Sequence, residues 1–203
     1  MKREFAVIGL ITASLAALPA SAAAQDVAPP GFGVGIDAGV VTLSPQADQR
    51  EWGGAVEGAV RYTWDSGFQV LAGGTYGSAS VKDIDENRTF WGLFGDGRLV
   101  LSMGARSVVP WVGGRVGYLS QSLSVAELPN NQGPGDFSGT GWSFSGLVGM
   151  LARLSNQLAF EAYLAFGVAP FGNIELNGEK LQDTSNTDFT SSLKVGLVYS
   201  FGG

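Results

Sequence analysis

Phe189-Thr190-Ser191-Ser192-Leu193-Lys194-Val195-Gly196-Leu197-Val198-Tyr199-Ser200-Phe201 is the stretch that decides the fold. Phe189, Leu193, Val195, Leu197, Tyr199 and Phe201 fall on one parity, opposite Lys194. A period of two places alternate side chains on opposite faces of a strand. The stretch is also about the length a tilted strand needs to cross a bilayer.

Seven earlier segments carry the same alternation. Residues 31–43 set Phe32, Val34, Ile36, Ala38 and Val40 against Gly33, Gly35, Asp37 and Gly39. Residues 52–62 set Val56, Val60 and Tyr62 against Ala55, Glu57, Ala59 and Arg61. Residues 68–78 carry Phe68, Val70, Ala72 and Tyr76 on one face. Residues 90–101 set Trp91, Leu93, Leu99 and Leu101 against Phe94, Asp96 and Arg98. Residues 108–120 set Val112, Val116 and Tyr118 against Gly113, Arg115 and Gly117. Residues 142–152 carry Trp142, Phe144, Val148 and Met150 together, and residues 158–166 set Leu158, Phe160, Ala162, Leu164 and Phe166 against Glu161 and Tyr163.

Connections 63–67, 102–107 and 153–157 are short. Connections 44–51, 79–89, 123–141 and 167–188 are longer and polar. Short turns at one end and long loops at the other are the habit of outer-membrane barrels. The reading is all-β: an eight-stranded antiparallel up-and-down transmembrane β-barrel. An even strand number places both termini at the short-turn, periplasmic end. Within the last loop, Asn177-Gly178 between alternating residues predicts a tight hairpin that carries the strands beyond the membrane.

The polar face decides between a soluble and a membrane barrel. It is mostly Gly, Ala and Ser, with about one charge per strand, which suits a narrow lumen rather than a wetted exterior. The apolar face gathers aromatic rings near strand ends: Phe32, Trp52, Tyr62, Phe68, Tyr76, Trp91, Tyr118, Trp142, Phe166 and Phe201. Such rings are expected as girdles at the two water–lipid interfaces. The 203 residues include 31 Gly but neither Cys nor His, and only 15% are charged. Beyond the N-terminus no apolar run is long enough for a membrane helix.

The N-terminus reads as a targeting segment. Lys2 and Arg3 precede an apolar run, Pro19 breaks it, and Ala22-Ala23-Ala24 supplies a small-residue cleavage site. The expected organisation is a signal peptide over residues 1–24, a short periplasmic linker over 25–30 and a barrel over 31–203.

The final strand also carries a resemblance. Lys194, Gly196, Tyr199 and Phe201 match, place for place, the C-terminal signal that the barrel-assembly machinery reads; the departure is the trailing Gly202-Gly203. In architecture the chain resembles the small eight-stranded outer-membrane barrels typified by the OmpA transmembrane domain and OmpX, without the periplasmic domain of OmpA. The resemblance implies a monomer surrounded by outer-membrane lipid and lipopolysaccharide, with the assembly machinery as its partner during biogenesis. Barrel enzymes that act on lipid A, phospholipid or peptides rely on a histidine, which this chain lacks, so no catalytic residue is assigned.

Net charge −6 argues against nucleic acid. Asp83, Asp85 and Glu86 read as a solvated loop rather than a metal site, because a Ca²⁺ loop needs six to eight ordered oxygens. Gly31-Phe32-Gly33-Val34-Gly35 lies inside a strand pattern and precedes no helix, so it is no phosphate loop. No cofactor is expected. The inward face places acids Asp37, Glu57, Asp96 and Glu161 with bases Arg61, Arg98, Arg115 and Lys194. This balanced set predicts a charge network that fills the lumen. The expected role is structural or surface-interacting, with the long loops outside; the alternative is a small-solute or ion channel.

Overall fold

The computed structural model describes residues 28–46, 49–81, 86–101, 107–125, 134–180 and 186–201. The expected signal peptide, Asp83 and Asp85, and the terminal glycine pair lie outside the described residues.

The strands are β1 (Gly31–Gln46), β2 (Gln49–Thr63), β3 (Phe68–Ser80), β4 (Asn87–Val100), β5 (Val108–Val125), β6 (Gly135–Arg153), β7 (Leu158–Leu176), the two-residue β8 (Glu179–Lys180) and β9 (Asn186–Ser200). Each long strand pairs antiparallel with its sequence neighbour, and β7 pairs with β9 from Leu158↔Tyr199 to Phe171↔Asn186. β9 then pairs with β1 from Gly33↔Ser200 to Ser44↔Phe189, which closes the sheet. Eight long strands thus form an up-and-down barrel with no free edge, and β8 is a short appendage on β7. Closure gives each long strand a hydrogen-bonded neighbour on both sides, which is what a hydrocarbon surround demands.

Burial alternates along the strands as the sequence pattern predicts. Ile36 and Leu93, each 65% exposed, stand on the outer wall, whereas Asp96 and Glu161 are at most 2% exposed. An apolar exterior around a charged interior is the inverse of a water-soluble protein. All the aromatics assigned to the girdles point outward or lie half-exposed on the outer wall. Tyr62 packs edge-on between Phe32 and Trp64 at the short-turn end. Tyr118 and Trp142 pair in the same manner toward the other end.

Strand lengths differ from the sequence expectation at the long-loop end. β1 and β2 run to Gln46 and from Gln49, so the expected first loop is largely strand. β6 begins at Gly135, well before the alternation becomes visible at Trp142, and β7 continues to Leu176. Phe166 therefore lies partway along β7 rather than at its end. Asn177 (φ 53°) and Gly178 (φ 82°) form the expected tight turn, with positive φ at both central residues as a type I′ turn requires. The turn is tied to the start of β6: Asp136 N–H donates to Asn177 Oδ1 and Asn177 N–H to the Asp136 carbonyl, both at 2.9 Å.

The short-turn end is closed differently from expectation. Leu101, expected on the outer face, is buried and donates its N–H to the Pro110 carbonyl at 2.8 Å. Beyond the end of β4 the strand period no longer dictates its side. Ala28, from the expected linker, is also buried, in one apolar cluster with Val109, Trp111, Leu151 and Val198. The chain just before β1 therefore helps to cover that mouth.

Candidate functional site in the barrel lumen

Inward positions of six strands meet at the middle of the lumen. Glu57, Asp37, Gly196 and Glu161 are neighbours in one row across β2, β1, β9 and β7. Three carboxylates so close on one inner face repel one another. Bases from β2, β4, β5 and β9 reach in to offset that repulsion.

Glu161 accepts from Arg61 at 2.7 Å and from Arg98 at 2.5 Å. Arg98 also donates to Asp96 at 2.7 Å. Asp96 receives Arg115 through Nε at 2.7 Å, and Arg115 donates onward to Glu57 at 2.7 Å. Glu57 further accepts from Lys194 and, at 2.6 Å, from the Tyr163 hydroxyl. One connected lattice thus runs Arg61–Glu161–Arg98–Asp96–Arg115–Glu57–Lys194. Its side chains are all at most 9% exposed. Charges this dry are tolerated only when paired and hydrogen-bonded.

Seven of the eight expected members join this lattice. Asp37 does not: it is buried beside them, but its Oδ1 has no hydrogen-bond partner among the described residues. Arg61, the base nearest in the sequence pattern, is engaged by Glu161 instead. The lattice therefore joins four bases to three acids, with Asp37 the neighbouring fourth.

Aromatic rings extend the packed interior toward the short-turn end. The Arg98 guanidinium lies 4.2 Å over the Trp111 ring, and Trp111 and Tyr163 have their ring centroids 5.6 Å apart. Trp111, fully buried, is absent from the sequence-derived set, although it shares the parity of Gly113 and Arg115. Arg115 in turn stacks 3.8 Å over Phe94. A second charged layer, also absent from that set, sits near the long-loop end. There Arg88 donates to Glu51 at 3.0 Å, to Asp188 at 3.2 Å and to Gln121 at 3.1 Å. Arg88 falls in a stretch that the sequence pattern assigns to a loop.

Between the two charged layers lies a cavity of about 90 Å³ whose wall mixes apolar Val41, Leu43 and Phe90 with polar Thr75, Ser143 and Thr190. Among the described residues no group of three or more acidic side chains is arranged to hold a metal. Gly196 and Tyr199 of the expected assembly signal face opposite sides of β9: Gly196 is pressed against Asp37, and Tyr199 packs edge-on against Phe201 outside.

A closed eight-stranded barrel with a lipid-type exterior and a dry ionic interior defines an outer-membrane barrel protein. Residues 10–201 match the model of the outer membrane protein beta-barrel domain, and the chain belongs to that family. Among solved structures it is similar to Neisserial surface protein A, at 14% identity and a TM-score of 0.63 over 84% of this chain and 97% of that one. It is also similar to OprG from Pseudomonas aeruginosa, at 12% identity and a TM-score of 0.54 over 86% and 98%. A major outer membrane protein from Thermus thermophilus aligns at 14% identity and a TM-score of 0.54 over 84% and 99%. These likenesses establish the fold. No curated protein matches the sequence. The family places the chain in the bacterial outer membrane.

Proposed function

We propose that this protein is a sealed, non-enzymatic barrel whose role is structural or surface-interacting, with the long-loop end outside the cell. The observation that carries the reading is the ion-pair lattice. Opening a water path would separate several desolvated pairs at once, each costly to break. Rigid scaffolds place their binding residues on loops, and here β5, β6 and β7 project farthest at the long-loop end. The channel alternative would require the lattice to part.

In this reading residues 1–24 are removed on export, so the mature chain starts at Gln25. The machinery that inserts the barrel reads Lys194, Gly196, Tyr199 and Phe201, and the girdle aromatics hold a monomer among lipid and lipopolysaccharide. Liposome swelling with small sugars tests the seal: vesicles carrying the refolded barrel should swell no faster than empty ones. Swelling that depends on solute size would favour the channel. A cysteine at Asn177 should react with an impermeant maleimide on intact cells; labelling only after lysis would reverse the orientation.

A further inference from the structure

The lumen is not equally dry along its length. Within the lattice Asp96, Arg98 and Glu161 are at most 2% exposed. Above it Thr75, Ser145, Thr190 and Ser192 share the parity of the inward side chains, yet they are only half-buried. The register sets them on the lattice: Thr75 stands opposite Glu57, Ser145 opposite Arg115, and Ser192 beside Lys194 on the same face of β9. With Ser143 they line the cavity of about 90 Å³, whose floor is Glu57, Arg115 and Lys194. None of these hydroxyls has a protein hydrogen-bond partner among the described residues. Lys194 donates to Glu57, which leaves its ammonium with donors to spare. Glycine makes the room: a Cβ at Gly117 would collide with Ser143 Oγ, and one at Gly167 with Ser145 Oγ.

Polar groups without protein partners, around a cavity of this size, call for water. A water takes roughly 30 Å³ and makes roughly two to four hydrogen bonds, so the cavity accommodates about three. A purely apolar cavity stays dry, whereas here hydroxyls and an ammonium stand on the wall. Toward the long loops, Gln121 lines both this cavity and another of about 160 Å³ bordered by Arg88 and Leu123. The Arg88 side chain, 13% exposed, is wetter than any in the lattice. Toward the short turns the lattice and the buried Trp111 and Tyr163 rings fill the lumen.

We propose that the outer half of the lumen is a hydrated half-channel: about three waters sit on Thr75, Ser143, Ser145, Thr190, Ser192 and Lys194, exchange with solvent at the long-loop end, and stop at the lattice. Water and small hydrated ions from outside the cell thus reach Lys194 and go no farther. The half-channel rests on the sealed-lumen reading only for its floor, and bilayer conductance decides that reading separately.

The chain has no cysteine, so single-cysteine variants report access at one site each. The probe is silver ion, added to the refolded barrel in lipid nanodiscs, with the surviving thiol counted by maleimide after unfolding. Ser143→Cys should react within about tenfold of the exposed Asn177→Cys, and Ala159→Cys, in the apolar cluster below the lattice, at least about a hundredfold more slowly. Water-to-methyl NOEs in the unsubstituted barrel give a second readout if a cysteine variant fails to fold. The cavity-lining methyls of Val41, Leu43 and Leu119 should contact water, and those of Val109 and Leu151 should not. Ser143→Ala with Thr190→Val should weaken the contact at Val41. Protection of Ser143→Cys equal to that of Ala159→Cys, or wall methyls as remote from water as Val109, would overturn the half-channel while leaving the seal intact. Fast reaction at both cysteines would overturn its floor, and conductance by the wild type would then follow.

Discussion

Arg98 shows at a single residue why the lumen holds together. Its guanidinium donates to Asp96 and Glu161, is 1% exposed, and lies 4.2 Å over the Trp111 ring. Arg98→Ala would leave both acids short of a donor, and breaking a buried pair from one side costs about 3–5 kcal/mol. Arg98→Lys keeps the charge but loses the planar fork and most of the stacking, so it should recover only part of that loss. Urea titration of folding into vesicles, followed by gel mobility, measures both. An Arg98→Ala barrel as stable as wild type would show that the lattice contributes little. Gly196 makes a second residue-scale case. A Cβ there would collide with the Ile36 carbonyl and with Asp37. Gly196→Ala should therefore destabilise the purified, refolded barrel by about 1–3 kcal/mol through overpacking. If Gly196 serves only the assembly signal, the same variant will refold normally in vitro and fail only in cells.

At the scale of elements, β9 is both the last strand and the closing one, since it pairs with β1 and β7. Removing residues 199–203 should abolish insertion into the outer membrane, and Phe201→Ala should lower it strongly. Deleting residues 129–133 in the connection between β5 and β6 should cost far less. Fractionation of cell envelopes compares the three, and equal insertion would contradict the importance of closure. The hairpin at Asn177-Gly178 is separable from the membrane wall. Gly178→Val, at φ 82°, should strain the turn and loosen β8 from β7 by about 1–3 kcal/mol. Protease sensitivity should rise there while the thermal stability of the barrel stays nearly unchanged.

These elements also mark where the sequence is legible. Within the membrane an apolar exterior imposes strict alternation, so the eight crossings can be read directly. Above it that constraint lapses. In β6, polar Asp136, Ser138 and Thr140 alternate with Gly135, Phe137, Gly139 and Gly141, and the segment resembles a loop. The lumen members follow from parity, whereas their connections do not: which acid each base reaches depends on barrel closure. Trp111 is findable by parity. Arg88 shares the parity of Phe94 and Asp96, but it lies one residue into β4, ahead of the stretch where alternation becomes visible.

For the whole molecule, the central claim is that an unbroken charged layer seals the barrel. The upper lumen holds a cavity, yet that cavity ends on Glu57, Arg115 and Lys194. Below it the lattice and the Trp111–Tyr163 rings leave these side chains nearly dry, and Ala28 helps to cover the short-turn mouth. Planar-bilayer recording on the purified, refolded mature barrel tests this most directly. The wild type should show no steady conductance above the bare bilayer, and Arg98→Ala should show added opening events where it still folds. Stable, large open channels in the unmodified protein would contradict the seal and make the barrel a pore.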